Sequence, residues 1–254
     1  MATLTPAQRA DFDARGWVAA PGFFTAAEAA ELGAWTDELL ARPEAPGTHW
    51  VYYEDSRTEP NRRIVQRIEN FCPFHAGFDR MVRSGRLAAA AAELLGGPAV
   101  LFKDKINLKL PGGGGFEPHQ DQQAGWSVYA PIFLTALVSI DLSNVENGCL
   151  WLPEDGAPRA TGMIGREWQP LSAAEMAAYR FRPAPTAPGD VLFFDSFAPH
   201  SSEPNRTDTR RRILYLTYNR ASDGDRRARY YADKHASFPP DVERQPGKSY
   251  TFRV

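Results

Sequence analysis

The sequence predicts an α+β fold, a β-barrel-like core with helices packed outside it. Three observations carry this. Capping-box signatures open helices in the N-terminal third. From residue 99 the apolar pattern changes from helical spacing to alternation. The 12% of aromatic residues and 21 prolines suit a loop-rich β core.

The elements follow in order. Thr5 with Gln8 opens a first helix running through Phe12. Gly16–Phe24, with Trp17, Val18 and Phe23, reads as a short strand. Thr25 with Glu28 opens a second helix, where Ala29, Leu32, Trp35 and Leu39 recur at helical spacing until Arg42-Pro43 ends it. Trp50, Tyr52 and Tyr53 fall in an irregular segment before the core. One helix is predicted over Phe78–Leu95, stopping at Gly96-Gly97. In Ala99–Leu110, Phe102, Ile106, Leu108 and Leu110 share one face, opposite Lys103, Lys105, Asn107 and Lys109. Pro131–Leu142 reads as a buried strand, Cys149–Leu152 as a short one, and Ser172 with Glu175 caps a short helix. Gly189-Asp190 turns into a strand over Val191–Phe194, and Arg212–Asn219 is β-rich. The arginines from Arg206 to Arg229 read as a solvated face.

A chain of 254 residues can bury a core without staples. We expect a single domain over 1–254, with a helical portion 1–97, a β core 98–220 and a C-terminal extension 221–254. The net charge of −2 offers no field for nucleic acid. No stretch approaches the ~18 apolar residues of a membrane span. Met1–Ala10 is polar and lacks a signal-peptide pattern, so Cys72 and Cys149 are expected as free thiols of a cytoplasmic protein. The oligomeric state is not legible.

The chemistry concentrates in two segments. His119 and Asp121 stand two residues apart, and on a strand such residues share a face. His200, at the loop edge after Val191–Phe194, is the candidate third ligand. Two histidines and a carboxylate on one face of a metal leave three positions open, as in non-haem Fe(II) oxygenases. Those positions suit a bidentate 2-oxoglutarate and then O2. Zn2+ would also accept this set. A buried arginine that could read the distal keto-acid carboxylate in bidentate fashion favours the first option, and Arg211, eleven residues after His200, is that candidate. Ser202 and Asn107 are candidate hydrogen-bonding partners of the same cosubstrate.

These segments resemble the phytanoyl-CoA dioxygenase family of Fe(II)/2-oxoglutarate oxygenases. The resemblance is carried by Leu101–Asp121 (LFKDKINLKLPGGGGFEPHQD), Asp141–Leu152 (DLSNVENGCLWL), Pro188–Asp195 (PGDVLFFD) and His200–Asn219 (HSSEPNRTDTRRRILYLTYN). It covers most of the chain, and its specificity lies in the combination. It implies a double-stranded β-helix, the cupin-like jelly roll, with the N-terminal helices on one sheet. It also implies iron on His119, Asp121 and His200, with 2-oxoglutarate on Arg211. Asp121 sets the chain apart from the halogenase variant, which replaces this carboxylate with a small residue. Within the family, Lys103–Asp121, Glu146–Leu150 and Gly162–Leu171 resemble 2-aminoethylphosphonate-type hydroxylases. The implied reaction hydroxylates a C–H of a small charged metabolite and releases succinate and CO2.

Substrate residues are less sharply marked. Lys103 and Lys105 either bind a phosphonate or carboxylate inside the core or form a solvated strand face. Trp50 and Tyr52 either help cage an ammonium or pack a loop. Gln122 and Trp126 are expected to line the pocket, with core packing the rival for Trp126. The competing functions are the same cofactors acting on an amino acid, betaine or natural-product intermediate, a non-catalytic jelly-roll binding protein, and a zinc hydrolase.

Overall fold

A computed structural model describes residues 3–157 and 162–250. Helix α1 (Pro6–Arg15) begins at Thr5, whose hydroxyl accepts from Gln8 N while the Gln8 side chain accepts from Thr5 N. Strand β1 (Trp17–Ala20) follows, and α2 (Ala26–Ala41) repeats the reciprocal cap with Thr25 and Glu28.

The segment expected to be irregular is a strand. β2 (Trp50–Asp55) pairs antiparallel with β3 (Arg63–Glu69), so residues before 98 supply three strands as well as helices. The single helix expected over Phe78–Leu95 is two, α3 (Ala76–Arg83) and α4 (Arg86–Leu95). Gly85 between them, at φ 80, takes a conformation that ends helical propagation.

Next come β4 (Ala99–Lys109), β5 (Phe116–His119), β6 (Leu134–Ser139), β7 (Leu150–Pro153) and α5 (Ala173–Met176), capped by Ser172. β8 (Phe181–Ala184) was not legible in the sequence. β9 (Val191–Asp195), β10 (His200–Ser202) and β11 (Arg211–Arg220) complete the sheets, and α6 (Arg227–Ser237) occupies the C-terminal extension.

The strands form two antiparallel sheets, β1-β9-β6-β11-β4-β3-β2 and β5-β10-β7-β8. This is the jelly roll. Alternation divides the large sheet. Ile106, Leu108, Val138, Leu214 and Leu216 face the helices, in one cluster with Leu32, Phe78 and Leu94. Leu137, Leu192, Ile213 and Tyr215 face the small sheet and meet Leu150 and Leu152. Both faces are covered, which explains why β6 reads as a continuous apolar run. The alternation of β4 breaks once. Thr217 pairs with Lys103 and Tyr218 with Leu101, so Phe102 is the extra residue of a bulge. It leaves the helix-facing row and joins Trp126, Phe133 and Tyr230.

Arg212 and Arg227 are buried, contrary to a solvated basic stretch. Arg212 makes two bonds to Asp141, each at 2.9 Å, and reaches Asp37 and Gly33 O on α2. Arg227 pairs with the fully buried Asp104 of β4. Asp104 also accepts from Phe71 N (2.7 Å), Cys72 N (2.8 Å) and the Tyr231 hydroxyl (2.9 Å). This carboxylate therefore ties α6 and the turn before α3 to the sheet. Cys72 and Cys149 are free and buried. Among the described residues no helix is long and apolar enough to cross a membrane.

Asp104→Ala leaves Arg227 buried without its anion. It is expected to cost about 3–5 kcal/mol and to lower the thermal midpoint by roughly 10 °C in scanning calorimetry. An unchanged midpoint would contradict this anchoring.

Candidate metal centre and its cavity

β5 and β10 run antiparallel with His200 directly opposite His119. Their rings lie 4.3 Å apart. Each imidazole donates its Nδ1–H to a backbone carbonyl two residues earlier, His119 to Glu117 (2.7 Å) and His200 to Ala198 (2.9 Å). That choice of tautomer leaves both Nε2 lone pairs pointing inward. Asp121 is not on the strand. β5 ends at His119, Gln120 stays extended, and Asp121 opens a 3-10 turn. One extended residue preserves the alternation, so Asp121 Oδ1 lies 3.9 Å from His119 Nε2 and 4.0 Å from His200 Nε2. The three ligand atoms all fall within 4.8 Å of one another, close enough to share one ion.

The large sheet orients the carboxylate. Thr135 of β6 donates to Asp121 Oδ2 at 3.1 Å, and its hydroxyl also meets that of Thr217 on β11 at 3.1 Å. Burial, then the neighbouring His200, pushes His119 down to about 3, and burial also lowers His200. Burial opposes the charge of Asp121, but His200 and His119 together with the Lys105 and Lys103 cations outweigh it and hold the carboxyl below its usual range. Neutral imidazoles beside an ionised carboxylate are the protonation states a metal requires.

The triad lines a cavity of about 30 Å³ with Lys103, Lys105, Asn107, Trp126, Ser202 and Tyr215. Lys103 and Trp126 also line a larger cleft of about 730 Å³, with Tyr129, Trp168, Tyr230 and Asp233. The side chains of Lys103 and Lys105 form no hydrogen bond or direct ion pair among the described residues. They meet ring faces instead, Lys103 over Trp126 (5.5 Å) and Tyr230 (5.7 Å), and Lys105 over Tyr215 (4.8 Å) and Phe116 (5.7 Å). Burial, then Lys103, pushes Lys105 down to about 7.

Arg211 is fully buried at the start of β11, in register with Lys109. It does not line the inner cavity. Its guanidinium lies against the Tyr215 hydroxyl, while Nε and Nη1 have no partner among the described residues. Asn107 Oδ1 is likewise without one. A buried cation with unused donors fits a carboxylate that arrives with a ligand, which is the role a keto acid would fill. Ser202 Oγ lies 2.8 Å from Lys109 Nζ, which also donates to Gly148 O (3.2 Å) and Glu203 O. Burial and Arg211 push Lys109 down to about 6, against the nearby Glu54 and Glu203 carboxylates.

Three expected pocket residues lie elsewhere. Trp50 packs edge-on against Tyr231 at 5.1 Å, under α6. Tyr52 stacks on Phe238 and donates to its carbonyl at 3.0 Å. Both belong to a hairpin that α6 covers, so neither reaches the metal cavity. Gln122 braces the following loop, donating to Ser127 Oγ (3.1 Å) and Ala130 O (3.3 Å). Conversely, Thr135, Thr217 and Tyr215 border the site without having been singled out. Tyr215 and Thr217 could have been found by counting in twos from Arg211.

Fold and ligand set together define a class, the jelly-roll dioxygenases with a two-histidine, one-carboxylate metal site. A family model for phytanoyl-CoA dioxygenase matches residues 12–213, and the chain belongs to that family. A 2-aminoethylphosphonate dioxygenase from an uncultured bacterium is 38% identical over 99% of this chain and 95% of its own length. A methylphosphonate hydroxylase of Gimesia maris is also 38% identical, over 93% of this chain and 88% of that protein. Among solved structures, EctD from S. alaskensis with 2-oxoglutarate and 5-hydroxyectoine aligns with a TM-score of 0.74 at 25% identity, covering 87% of this chain and 78% of that one.

Thr135→Val keeps the volume and removes the donor to Asp121. Anaerobic Fe(II) titration should give an affinity about tenfold weaker with the fold retained. Unaltered affinity would show that Thr135 does not orient the carboxylate.

Proposed function

We propose that this chain is an Fe(II)- and 2-oxoglutarate-dependent hydroxylase of a small phosphonate, with an aminophosphonate the favoured substrate. His119, Asp121 and His200 hold the iron, and Arg211 receives the distal carboxylate of the keto acid, with Asn107 and Ser202 beside it. When bound, iron and 2-oxoglutarate use O2 to exchange a substrate C–H for C–OH while 2-oxoglutarate becomes succinate and CO2.

The protein's part is binding and orientation. Asp121, held by Thr135, keeps its position on the iron. The aromatic faces around Lys103 and Lys105 shield two inward lysines that make no direct ion pair among the described residues. That is the observation carrying the reading. Two inward lysines beside the ligand triad suit a phosphonate, which brings its target carbon close to the metal. The rings of Trp126, Tyr129 and Tyr230, with Asp233 beyond them, suit the ammonium end of the same molecule. The phosphonate-acting relatives support the substrate class. We further propose a single domain acting in the cytoplasm on a soluble small molecule, without nucleic-acid or membrane partners. The buried free thiols and the net charge of −2 support this.

Purified enzyme with Fe(II), 2-oxoglutarate and O2 is expected to add one oxygen to 2-aminoethylphosphonate, followed by mass spectrometry alongside methylphosphonate. Lys105→Ala should raise the phosphonate KM by about tenfold or more, as expected when a charge-assisted contact is lost. Turnover of carboxylate analogues in preference to both phosphonates would overturn the substrate class.

A further inference from the structure

Gln120 and Gln123 flank Asp121, and both are fully buried. Neither touches the metal cavity. Their side chains hold the segment 162–171. Gln120 donates to Gly162 O (3.0 Å) and accepts from Ile164 N (2.7 Å), and its second N–H donates to Phe197 O (2.5 Å), which fixes the amide to the turn before His200. Gln123 donates to Arg166 O (2.8 Å) and Gln169 O (2.9 Å), and its side-chain oxygen accepts from Gln120 N (2.8 Å). Two backbone bonds extend the strap, Trp168 N to Gln123 O (2.8 Å) and Leu171 N to Pro118 O (2.7 Å).

The strapped segment forms one wall of the larger cleft. Trp168 sits there at φ 64, a left-handed conformation that a tryptophan rarely adopts. Its indole lies so close to Gly125, at the end of the metal turn, that a Cβ there would meet the ring at 2.1 Å. Strained backbone held by surrounding contacts is the signature of an over-determined position. Here the contacts come from the turn that carries a metal ligand.

We infer that Gln123, with Gln120, is a positioning residue that ties the Trp168 wall of the cleft to the turn carrying Asp121. Metal binding then orders the wall, and substrate pressing on the wall is felt at Asp121. The physical reason is economy of freedom. An ion shared by His119 and Asp121 fixes the turn between and after them. The two amides cannot turn without breaking buried hydrogen bonds, so 162–171 is fixed with them. Linkage makes the effect reciprocal. The word substrate here rests on the hydroxylase reading, whereas the metal-to-wall coupling does not.

Hydrogen exchange of the 162–171 amides, measured on the full chain with and without Fe(II) under argon, tests this. In the wild type Fe(II) is expected to slow exchange about tenfold, a typical coupling between linked sites. In Gln123→Glu, which keeps the acceptor and loses both donors, Fe(II) still binds and the slowing disappears. Gln123→Met, uncharged and of similar volume, gives the same loss and guards against misfolding of the charged variant. Trp168→Ala, an exposed change, should raise the 2-aminoethylphosphonate KM, and adding Gln123→Met should raise it no further. Slowing that persists in both Gln123 variants, or is missing from the wild type, overturns the inference. A wild type with metal-linked slowing but no hydroxylation of 2-aminoethylphosphonate sinks the substrate assignment and leaves the strap standing.

Discussion

The antiparallel register that sets His200 opposite His119 is the constraint on which the site depends. A shift of one residue on either strand would turn an imidazole out of the cavity. Both rings then need a fixed tautomer, and each obtains it from a carbonyl on its own strand or the turn before it. The metal geometry is therefore local to one corner of the small sheet. The large sheet contributes what that corner lacks, the Thr135 hydroxyl on Asp121 and the cations on the inner rows of β4 and β11.

Burying cations is costly, and the chain divides them into two kinds. Outward of the large sheet each is matched, Arg227 by Asp104 and Arg212 by Asp141 and Asp37. On the inner face, opposite Lys105, Glu69 receives Arg67 and Lys234, and the charges of Lys103, Lys234 and Arg67 hold its carboxyl low against its burial. On the inner side, Lys103, Lys105 and Arg211 have no protein carboxylate as an ion-pair partner among the described residues. Desolvated charge without a partner is tolerated where a ligand supplies one. A keto diacid and a phosphonate together bring the anions that this surface asks for, which joins the fold's energetics to the proposed chemistry.

What could be read from the sequence was local. Thr5/Gln8, Thr25/Glu28 and Ser172/Glu175 all cap helices, because a capping box is closed within four residues. His119 with Asp121, and Lys103 with Lys105, were legible as pairs because alternation puts residues two apart on one face, and the fold brings both pairs to one cavity with His200. What depended on distant partners was not legible. The hairpin of β2 and β3 exists because it extends the sheet from β4, and Trp50 and Tyr52 are covered by a helix more than 150 residues later. Phe102 changes sides through a bulge opposite Thr217 and Tyr218. Arg212 and Arg227 looked solvated because the acids that receive them lie far away in the chain. Gln120 and Gln123 carried no signal, since their partners in 162–171 are brought to them only by the fold.

The proposed centre is one ion on His119, Asp121 and His200 with a keto acid held towards Arg211. Anaerobic absorption spectroscopy of Fe(II) with 2-oxoglutarate tests it most directly, through the charge-transfer band of a chelated keto acid. The band is expected to appear with one Fe(II) per chain, to vanish in His200→Ala, and in Arg211→Ala to need far more 2-oxoglutarate to form. A band that survives His200→Ala, or never forms in the wild type, would contradict it.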